Sequence, residues 1–166
     1  MPFNSEQFRV YQPDFNPYRD YADFGACVAF LNERGGDLLR SGPITEPDEL
    51  HTARLMDPTR TRITLIREIA TNRLVGVALL KISYDWRKCV GDVEYVLVDE
   101  EFRGGERGLG RALMEHLLGQ AREVGVTLVK LESRPDPKRE RARHLYENLG
   151  FVLVGTSDRH YELRLT

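Results

Sequence analysis

Cysteine is scarce in this chain. Its two copies, Cys27 and Cys89, have no histidine or cysteine partners at metal-ligand spacing. That excludes a disulfide-rich scaffold and a zinc-finger type of site. Two idle thiols in a reducing compartment, or at most a single disulfide, remain, and no metal is expected. Neither sign of charge is in excess: 24 Lys and Arg face 26 Asp and Glu, for a net charge of −2. So balanced a charge gives no broad footprint for nucleic acid. No apolar run approaches the roughly 20 residues that span a bilayer, so no membrane is expected. The opening residues Met1-Pro2-Phe3-Asn4-Ser5-Glu6 lack a basic region followed by an apolar core. That does not read as a signal peptide, and a cytoplasmic location is the expectation. There is no internal repeat and no low-complexity stretch. What is present, 41% hydrophobic and 30% charged residues, describes a folded globular chain rather than a disordered one. Its 166 residues suit one domain, 1–166, and not two.

The densest signal is Phe102-Arg103-Gly104-Gly105-Glu106-Arg107-Gly108-Leu109-Gly110-Arg111. A strand-like run, Val93-Glu94-Tyr95-Val96-Leu97-Val98, leads in, and a helical pattern from Leu109 to Leu118 leads out. A glycine-rich turn opening a helix presents unpaired backbone N–H groups and the positive end of the helix dipole. That suits a phosphate or pyrophosphate. Arg103, Arg107 and Arg111 add charge such a group would welcome. The P-loop pattern needs Lys then Ser or Thr after its last Gly, and here Arg111-Ala112 follows Gly110. The dinucleotide fingerprint Gly-x-Gly-x-x-Gly appears only with its spacing reversed, as Gly105-x-x-Gly108-x-Gly110. A glycine turn that holds no ligand is the remaining alternative.

A second segment is Ala142-Arg143-His144-Leu145-Tyr146-Glu147-Asn148-Leu149-Gly150-Phe151. Ala142, Leu145, Tyr146 and Leu149 recur at helical spacing, and Gly150 fits the left-handed position after a last turn. In this order, with the strand-like Val126-Thr127-Leu128-Val129-Lys130-Leu131 between them, the two segments resemble the GNAT superfamily of N-acetyltransferases. The resemblance covers Leu74 to Leu165 well and the earlier chain loosely. It departs at two places. The position where the family usually has Arg or Gln before its middle Gly is Gly105, with Arg103 lying earlier, as though the turn had lengthened. The position where the family often has Asn near the start of the second helix is Arg139.

Along the chain, Phe8–Tyr11 reads as a strand and Asp20–Arg34 as a helix closed by Gly35-Gly36. Thr45-Glu46-Pro47-Asp48 reads as a capped helix start, ending before Pro58. Arg62–Ile69 and Leu74–Ile82 form a hairpin across Ala70–Arg73. Then come a strand Asp92–Val98, a helix Leu109–Val124, a strand Val126–Ser133 and a helix Lys138–Leu149. Strands Phe151–Gly155 and Tyr161–Leu165 close the series. The class is α/β. The resemblance implies a GNAT-like acyltransferase fold, a mixed, largely antiparallel sheet of roughly six to seven strands with about four helices and a splayed centre. It assigns about 20–58 to an acceptor-side helical region and about 90–155 to the acetyl-CoA-binding core.

The activity implied is transfer of an acetyl group from acetyl-CoA, the co-substrate, to a primary amine of a small molecule or peptide. The pyrophosphate would lie on Arg103, Gly105, Arg107, Gly108, Leu109, Gly110 and Arg111. The pantetheine arm would run as a pseudo-strand on backbone groups near Leu97 and Val98, with Arg139 nearby. A bulge or splay would free those groups, and one N–H could stabilise the developing oxyanion. The resemblance puts Tyr146 beside the thioester sulfur, to protonate the departing thiolate; otherwise it is a core aromatic with a backbone partner. An alkyl ammonium of pKa near ~10.4 must lose a proton before it attacks. Glu94 and Asp92, sharing a strand face, are the candidate bases, Glu94 first; either could instead be solvated or paired with Arg. His144 is expected at the solvent, and His160 on a late strand near the acceptor. The basic residues Arg134, Lys138, Arg139, Arg141 and Arg143 read as a solvated face or a 3′-phosphate contact. Trp86 lines the acceptor pocket or anchors its loop. Asp37, Glu46, Asp48, Glu49 and Asp85 would suit a cationic acceptor. Exposed strand edges allow a homodimer. The competing class is a non-catalytic acyl-CoA-binding sensor or interaction module on the same fold; an unrelated nucleotide-binding protein is a third.

Overall fold

Apolar residues at alternate positions build the strands, and the same alternation sorts their side chains onto two faces. The computed structural model describes residues 3–13, 21–34, 57, 59–104, 107–155 and 158–165. In chain order the elements are β1 (Phe8–Tyr11), α1 (Tyr21–Arg34), β2 (Thr61–Glu68), β3 (Leu74–Asp85), β4 (Lys88–Val98) and α2 (Leu109–Glu123). They continue with β5 (Leu128–Glu132), α3 (Glu140–Asn148), β6 (Val152–Leu153) and β7 (His160–Arg164). They make one seven-stranded sheet in the order β1-β2-β3-β4-β5-β7-β6. The β4–β5 pair is parallel and the other pairs are antiparallel. The sheet is therefore mixed and largely antiparallel, as the resemblance implies. The helix expected from Thr45 to Met56 and the acidic positions Asp37, Glu46, Asp48 and Glu49 lie outside the described residues.

One face of the sheet carries α2 and α3. There Ile66, Val75, Ala78, Leu80, Val129 and Leu131 pack with Leu113, Leu117 and Tyr146. The other face carries α1, whose Cys27, Phe30 and Leu31 cover Leu65, Val77, Leu79 and Leu97. Leu109, Leu113, Leu117 and Ala121 repeat every fourth position along α2 and are all buried, which fixes that helix on its face. α3 ends as its sequence suggests. Gly150 is left-handed at φ 98°, and Phe151 N–H reaches Tyr146 C=O at 3.0 Å while Gly150 N–H reaches Glu147 C=O at 3.0 Å. These two bonds are the Schellman termination, which locks Tyr146 into the last turn.

The β3–β4 hairpin is longer than expected. Its ladder continues to Asp85↔Lys88, so the connection shrinks to Trp86-Arg87. Trp86 is not a packed loop anchor: it is 82% exposed, with the Arg87 guanidinium 3.8 Å from its ring centroid.

Replacing Leu113, which is 0% exposed between α2 and the sheet, with Ala is expected to cost about 2–5 kcal/mol through lost transfer energy and the cavity left behind. Urea unfolding would show it as a lower midpoint at unchanged slope.

Candidate active site

The pairing of β4 with β5 runs from Val90↔Leu128 to Val93↔Leu131 and stops. At the same level β4 slips against β3: Val93 lies opposite Leu80 and Tyr95 opposite Leu79, leaving Glu94 as the extra residue of a β-bulge. The bulge thus lies earlier in the strand than Leu97 and Val98. Beyond it β4 leaves β5, and a fork opens between residues 94–98 and the end of β5.

Register decides which backbone groups face that fork. Asp99 N–H bonds Val75 C=O at 2.8 Å, so Asp99 and Val75 form a hydrogen-bonded pair. Such pairs alternate in an antiparallel ladder. Leu97 therefore bonds toward β3, opposite Val77, while Val96 and Val98 turn their N–H and C=O toward the fork. Arg103 Nε donates to Val98 C=O at 2.8 Å, which agrees with that orientation. Val96 was missed in the sequence, because orientation depends on the phase of the ladder and not on residue type.

Past β4, Glu100–Phe102 form a 3₁₀ turn that Asp99 caps by accepting the Glu101 N–H at 3.1 Å. Arg107 Nη1 donates to Glu101 C=O at 3.0 Å. Gly108, the N-cap of α2, is left-handed at φ 64° and ψ 23°, a conformation that strains residues with a Cβ. The first intrahelical bond of α2 runs from Ala112 N–H to Gly108 C=O at 2.9 Å. The N–H groups of Leu109, Gly110 and Arg111 therefore point out of the helix end without intrahelical partners. Gly110 has a packing reason to be glycine, since an added Cβ would sit 3.3 Å from Leu145 Cδ2 on α3. Arg111 pairs along the helix with Glu115 at 2.8 Å. Gly105 lies outside the described residues.

α3 closes the other side. Tyr146 is 9% exposed, with ring centroids 6.1 Å from Phe151 and 6.5 Å from Tyr161. Tyr161 pairs with Leu131, which itself pairs with Val93, so Tyr146 packs on the row where the fork begins. Its hydroxyl makes no hydrogen bond to a described residue. Nor is it among the sealed polar atoms lacking a partner, which among the described residues are Arg62 Nε and Gln120 Oε1. Tyr146 is a member of the core cluster on the α2/α3 face. Burial pushes this phenol from 10.0 up to about 12, with the Arg139 charge opposing the rise. Arg139 is thereby near Tyr146; its guanidinium is also 3.8 Å from Asp136.

Asp92, next to Val93 of the α2/α3-face cluster, turns to the α1 face, whereas Glu94 is the bulge residue, whose side alternation does not set. Register sets Asp92 between Lys81 of β3 and Lys130 of β5, whereas Glu94 stands at the bulge, where β5 departs. Glu94 also faces Tyr95, whose phenol is raised by burial and further by Glu94 and Cys27. His144 is exposed on the outside of α3, within 3.7 Å of Glu140 and 3.9 Å of Glu147. His160 lies opposite Glu132 on the α1 face, 3.7 Å from its carboxylate. Arg143 Nη1 donates to Arg134 C=O and Asp136 C=O at 2.8 Å each, holding the β5–α3 connection. A depression of about 500 Å³ lined by Pro137, Lys138, Glu140, Arg141 and His144 lies on the outer side of α3, away from Tyr146.

The seven-stranded mixed sheet with helices on both faces matches the fold of solved GNAT-family acetyltransferases. The chain belongs to that family: residues 28–151 match the acetyltransferase (GNAT) family. Among solved structures it is similar to a Trypanosoma brucei acetyltransferase, at 25% identity and TM-score 0.64, over 96% of this chain and 99% of that one. It is similar to an aminoglycoside acetyltransferase from an uncultured soil metagenomic sample, at 18% identity and TM-score 0.72, over 90% and 95% of the two chains. It is also similar to the glucosamine-6-phosphate N-acetyltransferase of Arabidopsis thaliana, at 16% identity and TM-score 0.61, over 90% and 95%. The last two likenesses speak for the fold alone. No curated protein matches the chain at a significant level. No helix among the described residues is long and apolar enough to cross a membrane.

The raised Tyr146 phenol has a consequence for stability. Its pKa is higher folded than unfolded, so its contribution is complete below the unfolded value and is lost as pH rises from 10.0 to about 12. Unfolding midpoints in urea should fall more steeply across that window in the unaltered protein than in Tyr146→Phe, with parallel curves below about pH 9.

Proposed function

We propose that the chain, as one domain over residues 1–166, is a cytoplasmic acetyl-CoA-dependent N-acetyltransferase acting on a primary amine of a small molecule or peptide. The observation that supports this reading is the fork, with outward-turned backbone groups on Val96 and Val98; the open N–H groups at the start of α2 and the buried Tyr146 of α3 belong to the two helices on one face of the same sheet. Acetyl-CoA supplies an activated acyl group whose leaving group is a thiol. Gly108, Leu109, Gly110 and Arg111 suit its pyrophosphate, because oriented amides and the helix dipole favour an anion there. Val96 and Val98 offer a strand edge to an amide-bearing arm. Arg139, whose charge opposes the rise of the Tyr146 phenol, suits the polar part of that arm.

Glu94 is the base. It stands at the bulge, while Asp92 is set between two lysines. Its task is to draw the proton from the amine, directly or through water. Tyr146 serves the departing sulfur. A phenol at about 12 is a weaker acid than an ordinary thiol near about 8.5. Complete proton transfer is then uphill by roughly 5 kcal/mol, at about 1.36 kcal/mol per pKa unit. Tyr146 therefore acts by holding an O–H donor against the sulfur as charge grows, and the proton cleared from the amine completes the exchange.

Two measurements test this. With a panel of amines and a thiol-release assay, Tyr146→Phe is expected to lower kcat roughly 10- to 100-fold, while acetyl-CoA affinity stays within about two-fold. Glu94→Gln is expected to lower kcat/KM most strongly at low pH, where the acceptor is fully protonated. Acetyl-CoA binding without turnover on any amine would mark a sensor instead.

A further inference from the structure

Asp99 ends β4, and it is the only buried Asp, Glu, Lys or Arg among the described residues, at 0% exposure. A carboxylate so withdrawn from water needs partners for both oxygens. Its Oδ1 accepts the Glu101 N–H at 3.1 Å. Its Oδ2 is shared by Arg73 Nη2 at 2.7 Å and Arg34 Nη1 at 3.1 Å. These three partners come from separate parts of the molecule. Glu101 belongs to the turn that leads to the glycines, Arg73 to the β2–β3 connection, and Arg34 to the last turn of α1.

The contacts continue on the turn side. Arg73 Nη1 reaches Glu101 at 3.0 Å, and its guanidinium lies 5.4 Å from the Phe102 ring centroid. Arg107, next to Gly108, lies 5.2 Å from the same centroid and donates to Glu101 C=O at 3.0 Å. Arg34, Asp99, Glu101, Phe102 and Arg107 thus form an unbroken path from the end of α1 to the N-cap of α2. Two carboxylates and two guanidiniums, those of Asp99, Glu101, Arg34 and Arg73, balance in charge at its centre. At the middle of α1, Cys27 belongs to the cluster against which Tyr95 packs, and Tyr95 directly follows Glu94. The helix anchored by Arg34 is therefore also the wall next to the base.

We infer that Asp99 is a positioning residue that couples α1 to the glycine turn, so that acetyl-CoA seated on the turn also fixes the acceptor-side helix. This rests on the acetyl-CoA reading of the fork. Asp99 touches no reacting atom; it acts by joining two walls of the site through one carboxylate. Binding that tightens one wall must then be favoured by order in the other, and the coupling is reciprocal.

Arg34 is the position to alter. Arg34→Met keeps an aliphatic stem against Phe30 and leaves Asp99 paired with Arg73, so the fold survives; thermal melting verifies that. Hydrogen–deuterium exchange of residues 21–34, with and without acetyl-CoA, reads the coupling, and calorimetric titration with acetyl-CoA reads affinity. In the unaltered protein acetyl-CoA should slow exchange in the last turns of α1. In Arg34→Met that slowing should vanish and affinity should drop about five-fold or more; Arg34→Lys should recover part of both. The inference is overturned if α1 responds equally in Arg34→Met, if affinity stays within about two-fold of the unaltered protein, or if Arg34→Lys recovers neither. Failure of the unaltered protein to bind acetyl-CoA would instead remove the cofactor reading on which the inference stands.

Discussion

The end of β4–β5 pairing at Val93 is the constraint from which the rest of the site follows. Had β5 stayed alongside β4, Val96 and Val98 would have been satisfied within the sheet, like most buried backbone groups. Instead Glu94 is pushed out as an unpaired residue and the two strands diverge. A parallel pair at the middle of an otherwise antiparallel sheet makes this possible. The long β5 connections send the chain through α2 and α3, and both helices then border the gap. Neither helix would flank a ligand without that divergence.

Two glycines in the same turn do different work. Gly108 is required by its own backbone conformation at the N-cap of α2. Gly110 faces α3, where an added Cβ would meet the end of the Leu145 side chain at 3.3 Å, a tight contact. One glycine of the motif thus answers to backbone conformation and the other to its neighbour across the helix pair.

Much of the fold was legible in the sequence. Alternation placed β1 at Phe8–Tyr11, four-residue spacing placed α2, and Gly150 marked the end of α3. Less of the site was legible. Val93-Glu94-Tyr95-Val96 reads as an unbroken strand, with no glycine or proline to betray a bulge, because a bulge is fixed by the partner strand's register. The extent of the β3–β4 hairpin was underestimated for a related reason: Ser83, Asp85 and Lys88 carry no apolar signal, yet the ladder continues through them. The role of Asp99 was invisible, since Arg34 and Arg73 are distant in sequence and arginines on a helix end or a turn look like ordinary solvated charge. That Asp99 caps a 3₁₀ turn at Glu100–Phe102 became apparent only in three dimensions.

The hydrogen bond from Arg103 to Val98 gives the fork a built-in occupant. The outermost carbonyl of the strand edge is claimed by the protein itself. That oxygen keeps a second lone pair, so an extended molecule drawing alongside would share it with the guanidinium. The last rung of the strand edge therefore comes with a cation already attached to it.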